Sequence, residues 1–175
     1  MTGRLHELVE RVISTVEPEL TAGLGEEQAR WAVETYRRVV LPSRLDVTED
    51  RDDATAQRWA DREAQSIAER YRSVDVDRRW SMIVVDHYAS KLGPLEAAAF
   101  ALARRAAAGG DGVRDAALDV QQRLHALREE IEASAPAVMD ELASEISEAL
   151  MDCAFVLDGP DFCSIRMGRW LEGDA

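Results

Sequence analysis

The chain has 175 residues, 46% of them apolar and 31% charged, which is one domain's length and a globular rather than a disordered mixture. Its 34 acidic residues against 21 basic ones give a formal charge of −13, which repels a phosphate backbone and excludes nucleic acid as an expected partner. The longest unbroken apolar run, Ala97 to Ala103, is far short of the roughly 20 residues that span a bilayer, and MTGRLHELVERV lacks the apolar stretch of a signal peptide. A cytoplasmic protein with no membrane span is therefore expected.

The elements follow in chain order. Leu5, Leu8, Val9, Val12, Ile13 and Val16 repeat at helical spacing, and Pro18 interrupts that first helix. A second helix is predicted from about Glu26 to Leu41, stopped by Pro42, and Ser43 to Asp53 reads as a polar loop. The third, about Ala54 to Val74, carries Ala56, Trp59, Ala60, Ala64, Ile67 and Tyr71 on one stripe. A fourth runs from Asp77 to Leu92 and is expected to end at Gly93-Pro94, with Pro94 opening a fifth that closes at Gly109-Gly110. Asp111 can cap a sixth, in which Val113, Ala117, Val120, Leu124, Leu127 and Ile131 form a seam. Pro136 restarts the chain into a seventh, with Met139, Leu142, Ile146, Leu150, Cys153 and Leu157 as its own seam.

The fold class is thus all-α: a single-domain bundle, residues 1–175, of about seven helices with short loops. Residues 158–175 form a short tail expected to pack on it. The two last seams should pair as an antiparallel hairpin. Trp59, Ile67, Met82, Ile83, Phe100, Leu124, Leu127, Leu142, Ile146 and Leu150 are the expected core. The pairs Arg37-Arg38, Arg78-Arg79 and Arg104-Arg105 sit among acids and read as solvated helix faces. Cys153 and Cys163 match no common zinc spacing and read as structural thiols, with a redox pair around Gly159-Pro160 left open.

No catalytic signature stands out. None of the three histidines has a glutamate three residues before it, so the Glu-x-x-His pairs of a di-metal bundle are missing. The acidic loop Glu49 to Asp53 lacks calcium-loop spacing and suits capping of the following helix. Glu129, Glu130 and Glu132, followed by Glu145, Glu148 and Asp152, resemble the magnesium-binding glutamates of all-α nucleotide pyrophosphohydrolases. Ala133 and Ala149 stand where that family has two further carboxylates. A magnesium site of Glu129, Glu130, Glu148 and Asp152 is the enzyme alternative. Otherwise no cofactor is expected.

Asp86-His87 interrupts the most apolar helix, where a charge is costly unless partnered. It reads first as a satisfied structural pair, with Arg104 or Arg105 as candidate counter-ions. Its surroundings also resemble a family, the TorD/NarJ-type chaperones of molybdenum oxidoreductases, in which an Asp-His pair opens a helix of the form D-H-x-x-x-x-L. Asp86-His87 is followed by Leu92 at that interval, and Tyr71-Arg72 stands where the preceding tyrosine helix should end. Glu34-Thr35-Tyr36-Arg37-Arg38 before Pro42 is similar to the family's E-Y-x-R-L-F…P segment, with Val39-Val40 in place of its aromatic end. Gln122-Arg123-Leu124 through Ala135-Pro136 is similar to the helix that ends in a Trp/Ala-Pro step.

The resemblance implies a non-catalytic helical chaperone that binds the signal-bearing precursor of an oxidoreductase. Asp86, His87, Tyr36 and Tyr71 would lie at its partner-binding site. Without the resemblance, the residues still point to an acidic helical protein that binds another protein. An acidic dimeric regulator or decoy for a basic partner stays open beside it, as does homodimerisation.

Overall fold

The structure is a computed structural model and describes residues 3–48 and 50–159. The expected C-terminal tail, from Pro160 onward, and Cys163 lie outside these residues. Every regular element among them is helical, so the all-α class is established. The elements are α1 (Gly3–Thr21), α2 (Glu26–Thr35), a π-helical turn (Tyr36–Val40), α3 (Leu41–Leu45), a 3₁₀ turn (Asp46–Thr48), α4 (Asp53–Arg72), α5 (Val76–Ala107), α6 (Arg114–Ser134) and α7 (Pro136–Asp158). Because α2, the π turn and α3 run on as one rod, the described residues form six rods where seven helices were expected.

The proline punctuation accounts for the difference. Pro18 lies inside α1 and Pro94 inside α5, and neither ends its helix. Both prolines are exposed, so the donor each lacks leaves a carbonyl on the solvent side, where water can satisfy it. Buried Leu92, Leu95 and Ala99 carry α5 across Gly93-Pro94, correcting the expected break. Pro42 is absorbed differently. The turn before it widens to a π-helix, with the Leu41 amide donating to the Tyr36 carbonyl, and the helical path resumes through α3. The loop expected from Ser43 therefore starts helical and reaches Thr48 as a 3₁₀ turn.

Real stops coincide with satisfied ends. The Asp52 carboxylate accepts from the Thr55 amide at 2.9 Å and caps α4. At the end of α5, Gly109 adopts φ +75°, its amide donates to Ala106, and the Gly110 amide reaches back to the Arg105 carbonyl. A Cβ on Gly110 would meet Arg105 Cγ at 2.7 Å, so that position needs glycine as well.

The chain divides into two compact units, one up to Ser90 and one from Lys91, with the division inside α5. In the first, α1 packs along α4. Val9, Val12, Ile13 and Val16 of α1 and Ala56, Ala60, Ala64 and Ile67 of α4 are all buried. The alanine ladder at four-residue steps leaves little side chain between the two backbones, and Trp59 falls outside that stripe. It is 45% exposed, which corrects its place in the expected core. In the second unit, α6 and α7 pack as a hairpin hinged at Ala135. The seam of α6 is the expected one, Ala117, Val120, Leu124, Leu127 and Ile131. That of α7 runs through Val138, Leu142, Ile146, Ala149 and Cys153, steps of four, four, three and four that carry the stripe one residue away from Met139 and Leu150. Those two are half-buried, as is Met82, while Phe100 is 56% exposed with the Arg104 guanidinium over its ring.

Candidate functional site

Three of the four expected partner-binding residues meet in the interior of the first unit. Asp86, on α5, is 4% exposed, and its carboxylate is the centre of a six-residue network. The Tyr71 hydroxyl of α4 donates to Oδ2 at 3.0 Å, and the Tyr36 hydroxyl, from the first residue of the π turn, donates to the same oxygen. The two hydroxyls are 3.0 Å apart. Arg70 of α4 spans both carboxylate oxygens at 2.8 and 3.0 Å. Arg44 of α3 reaches Oδ1 at 3.3 Å with one nitrogen and Glu63 of α4 at 2.6 Å with the other. One carboxylate thereby ties four helical segments that lie as much as 50 residues apart in sequence.

Asp86 and Glu63 balance Arg44 and Arg70, so the buried charge is compensated. Burial, reinforced by the Asp86 charge, pushes the Tyr36 and Tyr71 phenols far above their ordinary range, and both stay neutral donors. Burial works against the charge of Arg44 and of Arg70. It is outweighed at Arg44 by the Glu63 hydrogen bond and Asp86, and at Arg70 by Asp86, so both guanidinium pKa values end up raised. A carboxylate that already accepts from two phenols and two arginines has no lone pair left for general-base work. The arrangement holds helices together. The counter-ions expected for Asp86, Arg104 and Arg105, are replaced by Arg44 and Arg70, which sequence reading did not single out.

His87 faces elsewhere. Its ring packs edge-on to Tyr88, centroids 4.9 Å apart, and lies 5.2 Å from Trp31 of α2. Trp31 also meets Trp80 of α5 at 5.1 Å. Trp31 is 37% exposed, and Trp80 and His87 are half-buried, so the three rings form an aromatic patch at the surface. Of the four expected residues, only His87 therefore reaches an outer face. Sequence reading missed both tryptophans, whose bulk alone gives no sign of which face they occupy.

A second buried cation was also missed. Arg79 is 6% exposed, donates to the Tyr71 carbonyl at 2.9 Å and to the Ala22 carbonyl, and so serves the C-terminal ends of α4 and α1 together. The reading of Arg78-Arg79 as a solvated face is corrected at Arg79. Arg37 is likewise engaged, with Glu10 at 2.7 Å and Glu34 at 3.2 Å.

The carboxylates of the enzyme alternative are not gathered. Among the described residues no group of three or more His, Cys, Asp or Glu side chains could hold a metal ion. Glu130 pairs with Lys91 at 2.7 Å, and Glu129 and Glu148 are exposed. Glu96 and Asp152 are pushed up, mainly by partial burial, then by Glu145 and Glu148 at Glu96 and by Glu148 at Asp152. Burial also raises the buried thiol of Cys153, with the Asp152 charge adding to it. No described helix is long and apolar enough to cross a membrane.

No protein-family model matches the chain, and no curated protein or solved structure is significantly similar to it.

Proposed function

We propose that this chain is a non-catalytic helical protein that works by binding another protein, most specifically a chaperone for maturation of an oxidoreductase precursor. The observation that carries the binding reading is the surface patch of Trp31, Trp80 and His87. Tryptophan in a partly exposed cluster offers a large, rigid contact area with little side-chain entropy to lose, which is the profile of an interface anchor. The Asp86 network supports that reading from beneath. Tyr36, Tyr71, Arg44 and Arg70 fix α5 at Asp86, and the neighbouring residue, His87, is thereby held at one orientation against Trp31. In this account Asp86, Tyr36 and Tyr71 position the site, and His87 touches the partner.

The choice of a redox-enzyme precursor rests on the resemblance of Asp86-His87…Leu92, Tyr71-Arg72 and Glu34–Arg38 to the TorD/NarJ-type chaperones. Affinity capture from the source organism with mass spectrometry tests it. The expected result is the precursor of a molybdenum-containing oxidoreductase. A partner unrelated to redox enzymes removes the chaperone assignment, and recovery of a small molecule or metal in place of any protein removes the binding reading as well.

A further inference from the structure

In the second unit, α5 is apolar on two sides. Leu92, Leu95, Ala99 and Ala103 are buried. Ala97, Phe100, Ala101 and Arg104, spaced i, i+3, i+4 and i+7, form a stripe on the opposite side, and all four are exposed, Phe100 at 56%. Ala97 to Ala103 is also the longest unbroken apolar run in the chain, and a helix apolar all round is one that packs on more than one side. Among the described residues only one of those sides is covered.

The charges along the uncovered side run in a fixed order. Glu96 borders the stripe one turn before Phe100. Arg104 lies one turn after it, with its guanidinium 5.8 Å from the centre of the Phe100 ring. Roughly 12 Å of helical rise keeps Glu96 and Arg104 from pairing within one chain. The ion pairs of this unit, among the described residues, are Lys91–Glu130, Arg123–Asp119 and Arg128–Glu132, so Glu96 and Arg104 are in none. Partial burial, then the charges of Glu145 and Glu148, push the Glu96 carboxyl up, and no base offsets them. Asp152 is pushed up by burial and Glu148, again with no base acting on it, so Arg104 does not serve that carboxylate either. Arg105 is turned to the following loop, where it donates to the Asp111 carbonyl at 3.5 Å, and this leaves Arg104 as the base on the stripe. An acid, an aromatic ring and a base at equal four-residue steps are complementary to the same series reversed. A two-fold axis through the middle residue lays each acid against the other copy's base, as an isologous contact requires. The short side chains of Ala97 and Ala101 let the two helices approach closely.

We propose that this face joins two copies of the chain, the two α5 helices antiparallel about a two-fold axis at Phe100, with Glu96 of each copy paired to Arg104 of the other. Such a dimer adds to the binding of another protein and does not depend on it. Each copy carries a charge of −13, which opposes approach at long range, so the dimer is a reversible one that forms at micromolar rather than nanomolar concentration.

Sedimentation velocity of the full chain from about 1 to 300 µM tests this. The expected result is monomer at the low end and mostly dimer at the high end. Phe100→Asp should weaken association about tenfold or more, with helicity unchanged because the side chain is exposed. Glu96→Arg and Arg104→Glu should each weaken it about fivefold or more by setting like charges against each other. An equimolar mixture of these two single variants should recover dimer, since each then meets the opposite charge at both ends, a recovery that no role within one chain produces. A chain that stays monomeric across the range overturns the proposal, and the face then belongs to another occupant. A dimer indifferent to Phe100→Asp and to both reversals, or single variants that stay monomeric when mixed, overturns it too.

Discussion

The hydroxyls of Tyr36 and Tyr71 meet 3.0 Å apart over one carboxylate oxygen of Asp86. Two hydroxyl hydrogens serve three close oxygen pairs, and both are best used on the carboxylate. The aspartate that interrupts the apolar helix is therefore the acceptor on which the surrounding segments converge.

Asp86→Ala should cost about 3–5 kcal/mol, since it strands two guanidinium groups and two phenols that are wholly or partly out of water. Asp86→Asn, which keeps one acceptor oxygen, should cost less. Equilibrium urea denaturation checks both, and an Asp86→Ala loss under about 1 kcal/mol would show that the network contributes little.

Tyr36→Phe and Tyr71→Phe should each cost about 1–3 kcal/mol by leaving Asp86 short of a donor. They also carry a pH signature. Folding raises both phenol pKa values above their ordinary 10.0, so the stability they contribute is complete below about pH 10 and is lost as pH rises beyond it. Wild-type stability should decline above about pH 10, and the double Phe variant should lose much of that slope. Denaturant midpoints between pH 8 and 11 decide it, and identical slopes would contradict the assignment.

Glu148→Gln should stabilise the protein by a few tenths of a kcal/mol at pH 7, because Glu148 is the charge that repels both Glu96 and Asp152. Folding raises the pKa of Glu96 and of Asp152, so their contribution is greatest below the ordinary carboxylate range and is lost as pH rises through their raised values. The benefit of the substitution should therefore vanish below about pH 4. The same variant addresses the enzyme alternative, since magnesium-dependent nucleotide hydrolysis abolished by Glu148→Gln would promote it.

Ile146→Ala should cost about 2–5 kcal/mol, as a fully buried member of the α6–α7 seam. Trp59→Ala, with its side chain outside the α4 stripe, should stay within about 1 kcal/mol. Thermal melts of the two variants give the comparison, and a larger loss at Trp59 would mean the stripe is misassigned.

Much of this was legible in the sequence. The all-α class, the α6 seam and the glycine stop at Gly109-Gly110 follow from periodicity and from glycine's access to positive φ. The prolines misled, because a proline on a solvent-facing arc costs a helix only one hydrogen bond, and the packing of Leu92 and Leu95 outweighs that. Asp86 could be singled out because it places a charge on an apolar helix, while Tyr36 and Tyr71 were pointed to only by the family resemblance. Their partners could not: Arg44 and Arg70 lie 42 and 16 residues from Asp86 and look like any other surface arginine. Arg79 was hidden for the same reason, since a carbonyl acceptor leaves no mark in a sequence. Trp31 and Trp80 became a patch only once the fold brought their rings within 5.1 Å of each other.

The most direct test of the central claim is amide hydrogen exchange of the chain with and without its captured protein partner. Slowed exchange across residues 26–35 and 76–87, centred on Trp31, Trp80 and His87, is the predicted footprint. A footprint confined to α6 and α7, with those two segments unchanged, would contradict the account.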